Sequence, residues 1–455
     1  MLEGIVEPLT PAEANRIASR LEKDARPEWA RLNRFARYAR GFQKLPWLPD
    51  NAEMEYRSIA EKSASNWLDL VIRAKSQGLI VDGYGDDTES ALWSQVWQPN
   101  GMDSRQHALN RAVLTLGYSY LIVLPSDEGG VWMRPEAATN VFAYYDDPSD
   151  DWPEVALRQV KKDRYELYTP TRRYRLEGKL GSAAVADVLE HRGGATPVVR
   201  VFSQLDLLGT PMGEVEPVIS IQDRIVDATF TMQMVAKYGA FPQRWISGMD
   251  LTQPLLDDNG DPVTNSSGEF VYPTVKAYID HILTAVDPDT KFGQFQAADL
   301  RQYVEALEAH IRHLAAITQT PPHYLLGSLV NLSAEALAAA EAGLQRNIRE
   351  KREVMGEGYE QAIRLAASML GLDAAAQDTA SQLHWQDVES RSLAQTADAL
   401  LKLGQLGVPA KMLFHMIPGW TQQDAELAAA ELDMADPLRG LADELTRGLT
   451  PAIEV

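Results

Sequence analysis

The sequence predicts an α+β protein, and three observations carry that prediction. The first quarter is patterned helically, residues 118 to about 203 break into short β-rich runs, and the second half returns to long helical patterns. At 455 residues and 50.5 kDa the chain also exceeds what one hydrophobic core serves, so two or three substructures are expected.

Thr10-Pro11-Ala12-Glu13 reads as a helix start. A hydroxyl caps, proline takes the first helical position, and a glutamate three residues on reaches back to the cap amide. That helix is predicted to about Arg40. Residues 55–78 carry Ile59, Leu68, Val71 and Ile72 at helical spacing and end on Gly78, which predicts one further helix. Asp86 or Asp87 can cap a helix through Trp97, and another is predicted over 103–116, closed by Gly117.

From Tyr118 the pattern changes to strands at Tyr118–Leu124, Val131–Arg134, Val141–Tyr145 and Val155–Val160. Tyr165 and Leu167, then Tyr174 and Leu176, alternate with polar neighbours across Thr169-Pro170-Thr171, which predicts a hairpin with one buried face. The turns are too short for crossover helices, so the region is expected to be one antiparallel sheet.

A helix is expected from about Val218 to Lys237. Residues 240–298 then break into short pieces, with turn clusters at Asp257-Asp258-Asn259-Gly260-Asp261 and Asn265-Ser266-Ser267-Gly268, as in a small inserted lobe. Asp299 caps the next helix, which the Thr320-Pro321-Pro322 run stops. Ser333 opens a pattern running to Leu370, about 57 Å of helix, too long for one compact domain and expected to bend at Gly356 and Gly358. Short helices are predicted at 390–403, 409–416, 421–434 and 437–447, in an acidic C-terminal cap.

Charge excludes some functions. Forty-three basic against sixty-four acidic side chains leave −21 and a pI near 4.8, the wrong sign for gripping phosphate backbones. No cysteine is present, so disulfides, thiolate metal sites and cysteine nucleophiles are ruled out. The start of the chain lacks a signal-peptide pattern and no apolar run approaches a membrane span, so a protein soluble as synthesised is expected.

Few clusters promise chemistry. Tyr84-Gly85-Asp86-Asp87 resembles the paired aspartates with which polymerases hold two metals, but it directly precedes a helix and reads as a cap. Asp146, Asp147, Asp150 and Asp151 read as a solvated turn, without the spaced glycine and distal glutamate of an ion loop. His310 and His313 lie one helical turn apart with His323 beyond, but no neighbouring glutamate completes a zinc motif. Arg346, Arg349, Lys351 and Arg352 alternate with acids, as on a solvated helix face, with DNA contact as the other reading. No P-loop, GxSxG or GxGxxG occurs, and no cofactor is expected.

A series of short pieces recurs in order: Tyr38 with Gly41; Asn66-Trp67 through Val81 and Gly83-Tyr84; Trp97-Gln98, Asn100 and Met102-Asp103; Gly117 with Tyr120. Pro197 to Phe202, Gln222-Asp223, Phe292 to Phe295, Ala298-Asp299-Leu300, Thr320 to His323, Asn331 with Ser333, Trp385 with Asp387, and Ala397-Asp398 continue it. This order resembles the portal proteins of tailed bacteriophages, in the branch common among long-tailed phages of actinobacteria.

The resemblance implies a phage portal fold and a homo-oligomeric ring, usually a dodecamer, at one capsid vertex, through which double-stranded DNA is packaged and ejected without sequence preference. Its parts would be an α/β wing at 1–215, a stem helix at 216–239, a small α/β clip at 240–298 and a second stem helix at 299–318. A tunnel loop at 319–332, a long wing helix at 333–372 and a helical crown at 373–455 would follow. It further implies no catalysis, with the major capsid protein, the terminase large subunit, a head-to-tail adaptor and a scaffold protein as partners. The chain would reside in the virion, and in the host cytoplasm during assembly. His323, Tyr324, Leu326, Ser328 and Asn331 of the tunnel loop would lie nearest DNA. Twelve copies at −21 each would carry about −252, which favours DNA passage without sticking, although screening limits the reach to roughly 10 Å. The alternative is a metal-dependent polymerase or nuclease built on Asp86 and Asp87; a helical scaffold outside any virus is a third reading.

Overall fold

The computed structural model describes residues 7–85, 92–127, 129–148, 150–204, 206, 209–239, 244–247, 254, 260–272, 291–294, 299–327, 334–386, 393–417 and 419–434. The chain divides into two compact units. The larger is Met1–Gln43, Asn66–Gln222 and Ile311–Val455, and the smaller is Lys44–Ser65 and Asp223–His310.

Helix α1 (Pro11–Ala39) opens on the predicted capping box: the Glu13 amide donates to Thr10 Oγ1 at 3.3 Å, and the Thr10 amide donates to Glu13 at 2.8 Å. The single helix expected over 55–78 is instead two, α2 (Met54–Ser63) and α3 (Trp67–Ser76). The cause is Asn66. Its carbonyl oxygen accepts the Asp69 amide at 3.3 Å as the α3 cap, while its amide donates to Ala39 O at 2.7 Å. Strand β1 (Val81–Tyr84) follows. Residues 86–91 lie outside the described part, and the turn after them, Trp93–Trp97, is a π-helix with two stacked tryptophans, 4.8 Å between ring centroids. Helix α4 (Met102–Leu116) ends on Gly117 as expected, at φ 95°.

The strands form two principal sheets where the sequence predicted one. Strand β2 (Tyr118–Pro125) pairs with β3 (Val131–Glu136). Strands β4 (Val141–Tyr144), β5 (Val155–Lys161), β6 (Arg164–Tyr168), β7 (Arg172–Glu177) and β8 (Ala184–Glu190) then make a separate five-stranded antiparallel meander. The chain returns to the first sheet through β9 (Val198–Phe202), antiparallel to β2. Local spacing carries no signal for that long-range pairing. In the meander, Leu157, Leu167, Tyr174 and Leu176 face α1 and form a core with Ile17 and Leu21. The opposite face is also half-covered and holds ion pairs: Arg158 pairs with Glu136 and lies 3.0 Å from Glu166. The predicted one-sided hairpin therefore has its second face closed by charge.

A 3-10 turn, Glu216–Val218, leads into α5 (Ile219–Gly239). In the smaller unit, Tyr56 of α2 stacks on Tyr238, 5.8 Å between centroids, and Glu55 pairs with Lys237. Strands β10 (Arg244–Ser247) and β11 (Lys291–Gln294) pair antiparallel. The turn predicted at Asn265–Gly268 is present, closed by a bridge between Thr264 and Phe270, whereas Asp257, Asp258 and Asn259 lie outside the described residues. Helix α6 (Leu300–Ile317) opens with the Arg301 amide donating to Asp299 Oδ1 at 3.0 Å.

After α7 (Pro322–Leu326), the long helix α8 (Ala334–Leu370) runs unbroken through both of its central glycines. Gly358 serves close approach: a Cβ there would sit 3.0 Å from Val201 Cγ2 and 3.2 Å from Arg200 O of β9. Helix α4 packs on the three-stranded sheet, as does α8, and that accounts for β2 being buried along almost its whole length. Helix α9 (Asp373–Ala376) and strand β12 (Leu383–Trp385), which pairs with β1, precede α10 (Leu393–Gln405), α11 (Ala410–Phe414) and α12 (Gln422–Met434). The helix expected at 437–447 lies outside the described residues.

Candidate DNA-facing segment

Helix α6 cannot pass the double proline, and the chain turns at Gln319, a non-glycine residue at φ 52°. Thr318 Oγ1 donates back to Leu314 O at 2.8 Å and lies 3.0 Å from Thr320 Oγ1, so the buried turn satisfies its own hydroxyls. Pro322 suits the first turn of α7, and Gly327 ends it in the left-handed region at φ 66°.

Leu325 anchors α7 in the interior and leaves Leu326 half-buried. The Tyr324 and His323 rings meet edge-on, 4.7 Å between centroids. Both converge on Glu341 of α8: Tyr324 Oη donates to Glu341 Oε1 at 3.3 Å, and His323 Nε2 lies 3.8 Å from the same oxygen. Burial, then the charge of Glu341, pushes the Tyr324 phenol above its ordinary pKa. Asn347 Nδ2 donates to Gln319 Oε1 at 3.3 Å. The structure thus brings His323 and Tyr324 together and sets Leu326 on the same short helix, while Ser328 and Asn331 lie outside the described residues. Glu341, Asn347 and Gln319 escape sequence reading, because only the reversal at the prolines brings them near.

Further along α8 the larger unit holds buried charge. Glu214 accepts from Lys75 at 2.6 Å and from Lys351 at 2.8 Å, and Lys351 also donates to Ser203 Oγ at 2.9 Å. Burial alone would raise the Glu214 carboxyl, but the two ammonium groups hold it below its ordinary value. Burial lowers the Lys75 ammonium. Arg352 donates to Gly78 O at 2.7 Å and Gln386 O at 2.8 Å. The basic run of α8 is therefore split: Arg346 and Arg349 are exposed, whereas Lys351 and Arg352 tie the helix to the interior and are not a solvated or DNA-facing surface.

The other clusters sort as follows. The acidic turn is closed by the Asp147 amide donating to Asp150 Oδ2 at 3.0 Å. Asp86 and Asp87 lie outside the described residues. Among the described residues no group of three or more His, Asp or Glu is placed to hold a metal ion, and no helix is long and apolar enough to cross a membrane.

Residues 28–438 match the sequence family described as phage portal protein, SPP1 Gp6-like. The chain belongs to that family. Two relatives named portal protein, from Mycobacterium phage D29 and Mycobacterium phage L5, are 29% and 28% identical over 358 residues, spanning 73% of this chain and 71% of each relative. Among solved structures, the chain is similar to one in the virion of a native gene transfer agent particle, with TM-score 0.44 and 14% identity, covering 82% of this chain and 96% of that one. It is also similar to one in the neck of the native particle, with TM-score 0.45 and 13% identity, covering 80% and 91%. Portal proteins are structural components of the virion and not enzymes, so the polymerase or nuclease reading of Asp86 and Asp87 is set aside. The mixed architecture is the α+β portal fold.

Proposed function

We propose that this portal-family chain closes into a ring of about twelve copies, the number usual for the family, and that double-stranded DNA is packaged and ejected through its axis. The observation that carries the reading is the family match over residues 28–438. Heterologous contacts that close on themselves demand that each subunit present different surfaces to its two neighbours, which suits a 37-residue helix in a chain of this size.

In that reading 1–215 is the wing, 216–239 and 299–318 the stem, 240–298 the clip, 319–332 the tunnel loop, 333–372 the long wing helix and 373–455 the crown. Tyr324, two-fifths exposed, and Leu326 present the DNA-facing surface of the segment, with His323 behind them on Glu341. Ser328 and Asn331, in the same stretch of sequence, are the further residues this reading assigns to DNA. The net charge of −21 per chain supports passage without retention. Terminase large subunit and adaptor engage the ring in turn, capsid and scaffold proteins surround it, and assembly precedes incorporation into the virion in the host cytoplasm.

Two-dimensional class averages of the purified protein test this. Closed rings with an axial opening wide enough for a duplex are expected. A monomer, or a low-order oligomer without an opening, would overturn the reading. Retention of bare duplex by the rings at physiological salt would overturn the passage argument separately.

A further inference from the structure

The smaller unit leaves two apolar surfaces without cover. The first is a strap, residues 45–49, which precedes α2 and has no regular structure. Pro46 is buried, and the Arg57 side chain of α2 donates to Asp50 O at 2.6 Å, so the strap is fixed in place. Leu45 and Trp47, on either side of that buried proline, face solvent, as does Met54 at the start of α2. Trp47 is 80% exposed and Met54 87%.

The second surface is the C-terminal half of α5. Residues 228–236 carry no charge, yet none of residues 227–239 is buried, whereas Ile225 and Val226 just before them are. Its hydroxyls need no water: Thr229 Oγ1 donates to Ile225 O at 2.8 Å and Thr231 Oγ1 to Asp227 O at 2.9 Å. At 3.6 residues per turn, Phe230, Met232, Met234 and Val235 spread over roughly 200° of the helix, and a helix apolar over so wide an arc belongs in an interior. The contacts of α2 with Tyr238 and Lys237 lie at the far end of α5 and leave those four side chains half-exposed.

We propose that the strap of one copy, led by Trp47 and Met54, lies against the uncovered half of α5 in the next copy of the ring. The inference rests on the ring reading above and adds the place where neighbouring copies grip each other. The cores of protein interfaces are poor in charge and rich in Trp, Phe and Met, which is the composition of both surfaces. Copies at −21 each repel at long range, so the contact that holds them falls where charge is absent, as it is over residues 228–236. The two surfaces are unlike, as a closing ring of heterologous contacts requires. The α5 of the same copy is not the occupant, because the bonds that fix the strap and α2 already set Trp47 and Met54 toward solvent. With Pro46 and Pro49 limiting its backbone, the strap loses little freedom on docking.

The test uses the full-length chain, whose lack of cysteine lets introduced thiols report contacts. L45C and V235C, prepared separately and mixed before assembly, should yield a cross-linked dimer with a short bismaleimide, and L45C/V235C in one chain should yield a ladder of multimers. L45C mixed with E431C should yield no dimer. W47S/M54S should raise the concentration for half-assembly at least about tenfold in sedimentation velocity, with the far-ultraviolet circular dichroism unchanged. The thiol pair decides the matter if that variant misfolds. Wild-type rings that form while L45C and V235C stay unlinked, or an assembly that W47S/M54S leaves intact, would overturn the contact and leave the ring standing. The strap would then serve a different polypeptide. Cross-linking confined to single chains of L45C/V235C would overturn it as well, since the strap would be covering α5 of its own copy. A wild-type chain that stays monomeric would overturn ring and contact together.

Discussion

Lys351 Nζ sits 2.8 Å from Glu214 deep in the larger unit, and that carboxylate is shared with a second buried lysine, Lys75, at 2.6 Å. The triad ties α8 to α3 and to the stretch before α5. It is stable only as a set, because removing the single anion strands two ammonium groups in low dielectric.

Glu214→Gln should therefore lower unfolding stability by about 3–5 kcal/mol, while Lys351→Met, which leaves one balanced pair, should cost about 1 kcal/mol or less. Urea unfolding of both variants beside the wild type measures this. The pH dependence follows from the same geometry. A carboxyl held below its ordinary value of 4.5 contributes stability that is present above that value and lost as pH falls through the lower folded value. The wild type should lose that increment below about pH 4.5, and Glu214→Gln should lack it.

Two glycines of α8 should respond in opposite directions. Gly358→Ala would bring a Cβ to 3.0 Å from Val201 and is expected to cost about 1–3 kcal/mol. At Gly343 an added methyl would meet nothing within 4 Å, so Gly343→Ala should gain about 0.5–1 kcal/mol from helix propensity alone. Thermal melting of the pair, compared with the wild type, checks the sign of each.

The same glycines show what is legible in sequence. The length of α8, the cap of α1 and the stop at the double proline are readable, because each depends on residues within one turn of chain. Gly358 reads as a bend, because the strand that crowds it is more than 150 residues earlier. Asn66 likewise splits one predicted helix into two through a bond to Ala39, and β9 is drawn away from the meander by pairing with β2. In the candidate segment, the residue types at 323, 324 and 326 are readable and their anchor is not. In sequence Glu341 looks like any other acid on a helix surface; only the reversal at Gln319 brings α7 against it.

That anchor should control local opening more than global stability. Glu341→Ala removes the acceptor of the Tyr324 hydroxyl and the partner of His323, both near the surface, and is expected to cost only about 0–1 kcal/mol overall. The amides of Tyr324 and Gly327, which bond to Pro321 O and His323 O at 3.0 Å, should exchange about five to ten times faster. Hydrogen exchange by mass spectrometry over this peptide, set against urea unfolding, separates the two effects. Unchanged exchange would mean that the prolines alone hold the segment.

Asp82 ties β1 to α12, and its protonation should make that attachment pH-dependent. Burial pushes its carboxyl up to about 6, against which the hydrogen bonds from the Gln422 and Asp82 amides and the charge of Arg352 pull only partly. The folded state therefore binds a proton more readily than the unfolded chain, whose carboxyl has the ordinary value of 3.8. Stability should rise as pH falls through 6 towards 3.8, the opposite of the Glu214 dependence. Asp82→Asn keeps an acceptor for the Gln422 amide and removes the buried charge. It should be more stable than the wild type at pH 8 by about 1–2 kcal/mol, below the full linkage value because the site is partly hydrated, and equal to it near pH 4. Urea midpoints at the two pH values check this, with exchange at the Gln422 side of α12 as the local readout. A variant that is weaker at both pH values would show that the carboxylate is stabilising and that β1 holds α12 by charge.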